Sequence, residues 1–195
     1  MIRSKPVDRP VAPLIRELPE RLGEDLRRDG LGRTPERVGG TLRSLTSGYQ
    51  MDVHRIVNGA LYEVRYDAMV LVKDIEFFSL CEHHILPFSG RLHVAYLPRK
   101  RVIGLSTIPR IVDIFARRLQ IQERLTQEVA QTIPEIIDPL GVGVVCEARH
   151  FRMMMRGVEK QRSSAMTSAM LGAFRDYRET RNEFLALANR RGGGQ

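Results

Sequence analysis

The spacing of apolar residues changes at about Tyr66, and that change constrains the fold more than any other feature of the chain. Before it the period is helical. Leu14, Ile15, Leu18, Leu22 and Leu26 recur within Pro13 to Arg28 with charges between them. Asp29-Gly30 breaks this run. Thr34-Pro35-Glu36-Arg37 then reads as an N-cap followed by proline at the first helical position, opening a helix through Val38, Leu42 and Leu45 that stops near Gly48. This early part is expected to be a helical appendage rather than a core.

After Tyr66 the period becomes that of strands. Ala68 to Phe78 is rich in β-branched and aromatic residues and predicts a strand. Leu92 to Leu97 alternates well enough to be its partner, with Pro87 to Gly90 in the connection. Ser106-Thr107 before Ile108-Pro109 predicts a helix start, with Ile111, Val112, Ile114 and Phe115 on its buried side. A second helix covers Gln122 to Ile133, where Pro134 stops or kinks it. Gly141 to Met155 returns to strand character, Ser164 to Phe174 continues it as a hairpin partner, and Thr180 to Ala188 reads as a terminal helix. Two strands, two helices, two strands and a helix make an α+β pattern: an antiparallel four-stranded sheet with helices on one face. The expected division is a helical extension over residues 1–62 and the sheet domain over residues 63–195. An open sheet of this size leaves edge strands that must be covered or paired, which favours a homo-oligomer.

Composition narrows the partners. At 195 residues, 43% hydrophobic and 28% charged, the chain reads as one soluble globular domain with an extension. Met1 to Pro13 lacks the apolar core of a signal peptide, and no apolar stretch is long enough to span a bilayer. Cys81 and Cys146 are too few for a disulfide scaffold, so a cytoplasmic protein is expected. The net charge of +8 favours anions: a phosphorylated small molecule, nucleic acid or an anionic membrane. The arginines are scattered, however, and aromatics are only 6%, which argues against a single-strand stacking platform. A soluble surface with surplus arginine fits the same charge; a small anionic ligand is expected, and neither nucleic acid nor a membrane is expected as partner.

Cys81-Glu82-His83-His84 is the most informative tetrapeptide. A thiolate and an imidazole three residues apart can reach one cation if the strand ends in a turn, and zinc accepts that sulfur-plus-nitrogen pair. A buried cysteine beside two surface histidines fits the same letters. His150 falls on an expected strand, two residues from Arg152 and therefore on the same face, as is Cys146. Four residues of strand, roughly 13 Å, separate Cys146 from His150, so that thiol is a poor substitute ligand. Glu123 opens the second helix. Its carboxylate suits the paired donors of a guanine edge, or simply the helix dipole. Arg110 and Arg156 offer bidentate donors to phosphate. Met153 to Met155 read as packing.

At these residues the chain resembles the GTP cyclohydrolase I family. The matching segments include Arg33-Thr34-Pro35-Glu36-Arg37-Val38, Phe78-Ser79-Leu80-Cys81-Glu82-His83-His84 and Val102-Ile103-Gly104-Leu105-Ser106. They continue with Gln120-Ile121-Gln122-Glu123-Arg124-Leu125, Met155-Arg156-Gly157-Val158, Thr167-Ser168-Ala169-Met170-Leu171-Gly172 and Arg181-Asn182-Glu183-Phe184-Leu185. The resemblance runs in order over about residues 20 to 188. It implies the tunnelling fold and a hydrolase that converts GTP and water to 7,8-dihydroneopterin triphosphate and formate, the step that opens folate and pterin synthesis. In that family a zinc ion activates the attacking water.

Carried over position by position, Cys81 and His84 would be zinc ligands. His150 would give and take protons at the imidazole ring of the base, and His83 would assist the later sugar rearrangement. Glu123, with Gln122 nearby, would hold the guanine edge, while Ser106, Arg110 and Arg156 would line the nucleotide and phosphate site. The family assembles as decamers with sites built from neighbouring subunits. This chain departs from the pattern at Arg152, where the family has its second zinc cysteine, at Thr107, where it has a triphosphate lysine, and at Arg162. Two further readings therefore stay open: a divergent paralogue acting on another purine or pterin, and a non-catalytic nucleotide-binding subunit.

Overall fold

The segments of period two pair into one sheet in the computed structural model, which describes residues 10–155 and 160–190. In chain order the elements are α1 (Ala12–Arg21), α2 (Thr34–Leu45), α3 (Val53–Val57), β1 (Leu61–Glu63), β2 (Val70–Cys81), β3 (Pro87–Leu97), β4 (Arg101–Ile103) and α4 (Thr107–Ala116). There follow β5 (Leu119–Gln120), α5 (Gln122–Ile137), β6 (Gly141–His150), α6 (Phe151–Met155), β7 (Ala165–Gly172), α7 (Ala173–Asp176) and α8 (Arg178–Asn189). The main sheet has the order β5-β2-β3-β6-β7. Its four long strands are antiparallel, and the two-residue β5 joins β2 in parallel at one edge.

One face of the sheet carries the main core. Phe77, Phe88, Leu92, Val94, Tyr96, Val142, Val144 and Cys146 pack with Ile108, Ile111, Val112 and Phe115 of α4 and with Leu125, Val129 and Ile133 of α5. α7 and α8 add a smaller cluster across the sheet, where Phe174, Phe184 and Ala188 cover Ala95 and Val145. Among the described residues no helix is long and apolar enough to cross a membrane.

A bulge in β2 sets which residues reach the core. The β2–β3 register breaks between Val72 and Ile75, and Asp74 takes a positive φ of 56°. Even-numbered Val70 and Val72 before the bulge, and odd-numbered Ile75, Phe77 and Cys81 after it, consequently face the same cluster. Without the extra residue Cys81 would point to the opposite face.

Several expected boundaries move, each for a local reason. The first helix was expected to reach Arg28 but ends at Arg21, because Gly23 adopts φ +89° and its N–H bonds to Glu20 O. α5, expected to stop or kink at Pro134, continues through it to Ile137. β2 extends to Cys81 and β3 begins at Pro87, so Pro87 to Gly90 lie in the sheet and the connection is only Glu82 to Leu86. The expected strand Gly141 to Met155 ends at His150, and Phe151 to Met155 are helical. His150 is level with Phe88, one residue from Pro87, which has no N–H to extend the ladder. Arg152 therefore does not share a strand face with His150.

The segments before residue 63 are tied to the sheet domain. Val57 of α3 is in the main core, β1 pairs with β4, and Gly48 N–H donates to Arg117 O at 2.9 Å. In return Gly48 O accepts from the Arg118 guanidinium at 3.1 and 3.3 Å.

Candidate active site

Strand and helix ends meet at one end of the sheet. Cys81 closes β2, opposite Gln120 of β5, and Glu82 N–H donates to Gln120 O at 2.9 Å. Ile85 N–H returns to Cys81 O at 2.8 Å and Cys81 N–H to Leu86 O at 2.9 Å, which closes the connection tightly. Ile85 has φ +54°, a left-handed conformation that costs a β-branched residue of order 1–3 kcal/mol. The Cys81 thiol is buried with its Sγ 3.8 Å from His83 Nδ1, and the His83 and His84 rings lie edge to face at 6.2 Å. Glu82 pairs with Arg124, whose guanidinium also donates to Gln120 Oε1 at 2.8 Å and Leu119 O at 2.9 Å. The first turn of α5 is thus stitched to the histidine-bearing connection.

His150, the last residue of β6, lies flat on Phe88 with ring centroids 4.7 Å apart and planes within 1°. Its Nε2 is 2.9 Å from Gln122 Oε1, and its Nδ1 is buried with no hydrogen-bond partner among the described residues. Burial, and then the Arg152 cation, push its pKa below the usual imidazole value, with the Glu123 carboxylate opposing them. The ring is therefore neutral at pH 7. Gln122 is 2% exposed and donates to Cys146 O at 3.1 Å and Ala165 O at 2.9 Å, whereas its neighbour Glu123 is exposed on the same first turn.

Cys146 sits on the core face of β6 beneath α5. Burial pushes its thiol pKa up to about 12, partly offset by the Thr126, Thr167 and Gln122 side chains. Unfolding restores an ordinary thiol with a pKa near 9. The stabilisation from keeping this thiol protonated is complete below pH 9 and is lost as the pH rises toward 12. Urea midpoints measured from pH 8 to 11 are expected to fall with increasing pH, and Cys146→Ala should flatten that slope.

The sequence-derived residues fall into separate groups. Cys81, His83 and His84 come together, as do Gln122, Glu123 and His150. Ser106 precedes α4 at the opposite end of the sheet: Ile103 N–H donates to Tyr96 Oη at 3.0 Å, and Tyr96 is eight residues along β3 from Phe88, roughly 26 Å. Arg110 follows one turn into α4 and is exposed. A single chain therefore does not bring Ser106 and Arg110 to His150. Thr107 is buried and offers nothing to a phosphate. Arg156 lies outside the described residues. Phe88, Gln120 and Arg124 also shape the site but were not singled out from the sequence. Even-numbered alternation from Phe88 through Leu92, Val94 and Tyr96 would have found the first.

Zinc fits this donor set poorly. Cys81 and His84 supply one sulfur and one nitrogen, and among the described residues no three His, Cys, Asp or Glu side chains are disposed to hold a metal ion. The guanidinium of Arg152 has donors only and cannot serve as a further ligand. Three protein ligands are the usual complement of a catalytic zinc.

A four-stranded antiparallel sheet backed by two helices, with an imidazole, a carboxamide and a carboxylate where β6 meets α5, defines a tunnelling-fold protein. The family model for GTP cyclohydrolase I matches residues 11–189. A GTP cyclohydrolase 1 of Leptospira biflexa is 59% identical over 174 residues, 89% of this chain and 95% of the relative. A GTP cyclohydrolase 1 2 of Pseudomonas putida is 57% identical over 169 residues, covering 87% and 91%. A GTP cyclohydrolase 1 of Campylobacter jejuni is 55% identical over 175 residues, covering 90% and 92%. The chain belongs to the GTP cyclohydrolase I family.

Proposed function

We propose that this chain is a hydrolase that converts GTP and water to 7,8-dihydroneopterin triphosphate and formate, the entry to folate and pterin synthesis. The supporting observation is His150: a neutral imidazole whose buried Nδ1 has no partner among the described residues, within the electrostatic reach of the exposed Glu123 carboxylate. Glu123 can accept both N1–H and the 2-amino group of guanine. His150 then takes up and returns a proton at the five-membered ring of the base. His83 serves the later sugar rearrangement. Ser106 and Arg110 bind the nucleotide and its phosphates from a neighbouring subunit, because within one chain α4 starts at the far end of the sheet, and Arg156 also serves the phosphate site. That geometry is the reason to expect a homo-oligomer, and the decamer of the family satisfies it. Residues 1–62 act as an extension on the tunnelling-fold domain of residues 63–195. A cytoplasmic site suits a nucleotide substrate and two free thiols.

Incubating the purified protein with GTP and following formate together with the fluorescent oxidised pterin tests this activity. Release of both supports it. GTP left intact in the presence of added zinc overturns it.

Zinc is the cofactor that family membership suggests, yet Cys81 and His84 lack a third partner in the chain as described, so no catalytic step is assigned to a metal. Arg152→Cys is expected to raise zinc content, read by elemental analysis, from well below one ion per chain toward one. GTP turnover should rise with it. Unchanged zinc in that variant would remove Arg152 as the cause of the poor fit. Arg152 also favours a second reading, in which its guanidinium binds a phosphate or carboxylate of another purine or pterin. Turnover of such a compound, but not GTP, by the zinc-free protein would select it.

A further inference from the structure

We infer that Gln122 is a positioning residue that fixes His150 as its Nε2–H tautomer, leaving the buried Nδ1 unprotonated and without a partner among the described residues. The role toward substrate rests on the GTP reading above; the tautomer does not. Gln122 is the first residue of α5 and is 2% exposed. Its amide nitrogen has two hydrogens, and both are used: one toward Cys146 O at 3.1 Å on β6, one toward Ala165 O at 2.9 Å on β7. The opposite amide orientation would set Oε1 against two carbonyl oxygens, so the backbone of the two strands dictates the orientation.

The consequence for the imidazole is direct. Gln122 Oε1 can only accept, and it lies 2.9 Å from His150 Nε2. That nitrogen must carry the hydrogen. A neutral imidazole has one N–H, so Nδ1 is left with a free lone pair. This leaves the buried Nδ1 as an acceptor with no partner among the described residues, a state that folded proteins rarely leave without a reason. Stacking on Phe88 fixes the ring plane, and the Thr126 hydroxyl donates to Gln122 O at 2.8 Å, anchoring the residue that supplies Oε1. His150 therefore begins as a base at Nδ1. A proton taken there makes an imidazolium still bonded to Gln122 through Nε2–H, and the same proton leaves from Nδ1. Both N–H groups of the Gln122 side chain, and its Oε1, are engaged within the chain. It does not read the guanine edge, and that task falls to Glu123.

The test uses the full chain labelled with ¹⁵N, with the His150 ring signals assigned by their absence in His150→Asn. The neutral wild-type protein is expected to show a protonated Nε2 and an unprotonated Nδ1. Gln122→Met should give a mixture of tautomers. In formate assays the same variant should lose roughly tenfold or more in kcat, part of the 10²–10⁴ a positioned general base supplies, with KM for GTP within about twofold. A wild-type ring protonated at Nδ1, or a Gln122→Met ring unchanged from wild type, overturns the assignment. So does a variant whose KM rises with kcat intact, the mark of a base contact. If Gln122→Met does not fold, the wild-type spectrum decides alone. If wild type does not turn over GTP, the activity fails while the tautomer still stands or falls on that spectrum.

Discussion

His150→Ala is expected to lower GTP turnover by about 10²–10⁴-fold, measured as formate released per chain. The size follows from what the ring offers. It is the imidazole at this end of the sheet with a buried nitrogen that no described residue occupies, and burial together with the Arg152 cation keeps it uncharged. Alanine leaves no group there that can accept a proton. The structural loss is smaller, one hydrogen bond to Gln122 and one stacked contact with Phe88, together about 1–3 kcal/mol. A fall in activity far beyond the fall in thermal stability is therefore the expected pattern.

The pH dependence carries a second signature. Because the folded imidazole has a pKa below its ordinary 6.5, the unfolded chain binds a proton that the fold does not across the window from the depressed value up to 6.5. Stability from this site is complete above 6.5 and is lost as the pH falls through that window. The alanine variant should lack this acid-side slope, and wild-type kcat/KM should hold as the pH drops past 6.5 before falling. An alanine variant with wild-type turnover would remove His150 from the chemistry.

The chain announces its architecture through period. Helical spacing before Tyr66, alternation after it, and the cap-plus-proline start at Ser106 to Pro109 locate most elements. Where the sequence misleads, a backbone event interrupts the period. The bulge at Asp74 shifts β2 by one residue, so no single alternation links Val70 to Cys81. At the far end of β6 the ladder stops for lack of a partner beyond Pro87, and nothing in the run from Phe151 to Met155 signals the change to helix. Site residues show the same limit. The tetrapeptide from Cys81 to His84 stands out because its elements adjoin in sequence. The grouping of His150 with Gln122 depends on α5 lying across β6 and β7, a long-range contact that spacing does not encode. Ser106 and Arg110, in turn, belong to the opposite end of the sheet, where only a second chain can complete the site as proposed.

Phe88→Ala is expected to be the most damaging single change in this part of the protein, costing about 3–5 kcal/mol in denaturant unfolding. The ring is fully buried, packs edge to face on Phe77 at 5.7 Å, and lies between Ser79 of β2 and His150 of β6 in the strand register. Removing it opens a cavity between two strands and takes away the surface on which the imidazole rests. Against a total stability of about 5–15 kcal/mol, that loss alone can leave the chain largely unfolded at 37 °C. Phe88→Leu separates the two roles of the ring. Leucine fills much of the volume, at a cost of about 1.5 kcal/mol, but presents no flat face to stack against. The leucine variant should fold with a modestly lower urea midpoint and still lose turnover, because His150 is free to rotate about its strand while Gln122 holds only one of its edges. Wild-type turnover in a folded Phe88→Leu protein would show that the hydrogen bond from Gln122 orients the imidazole without help from the stack.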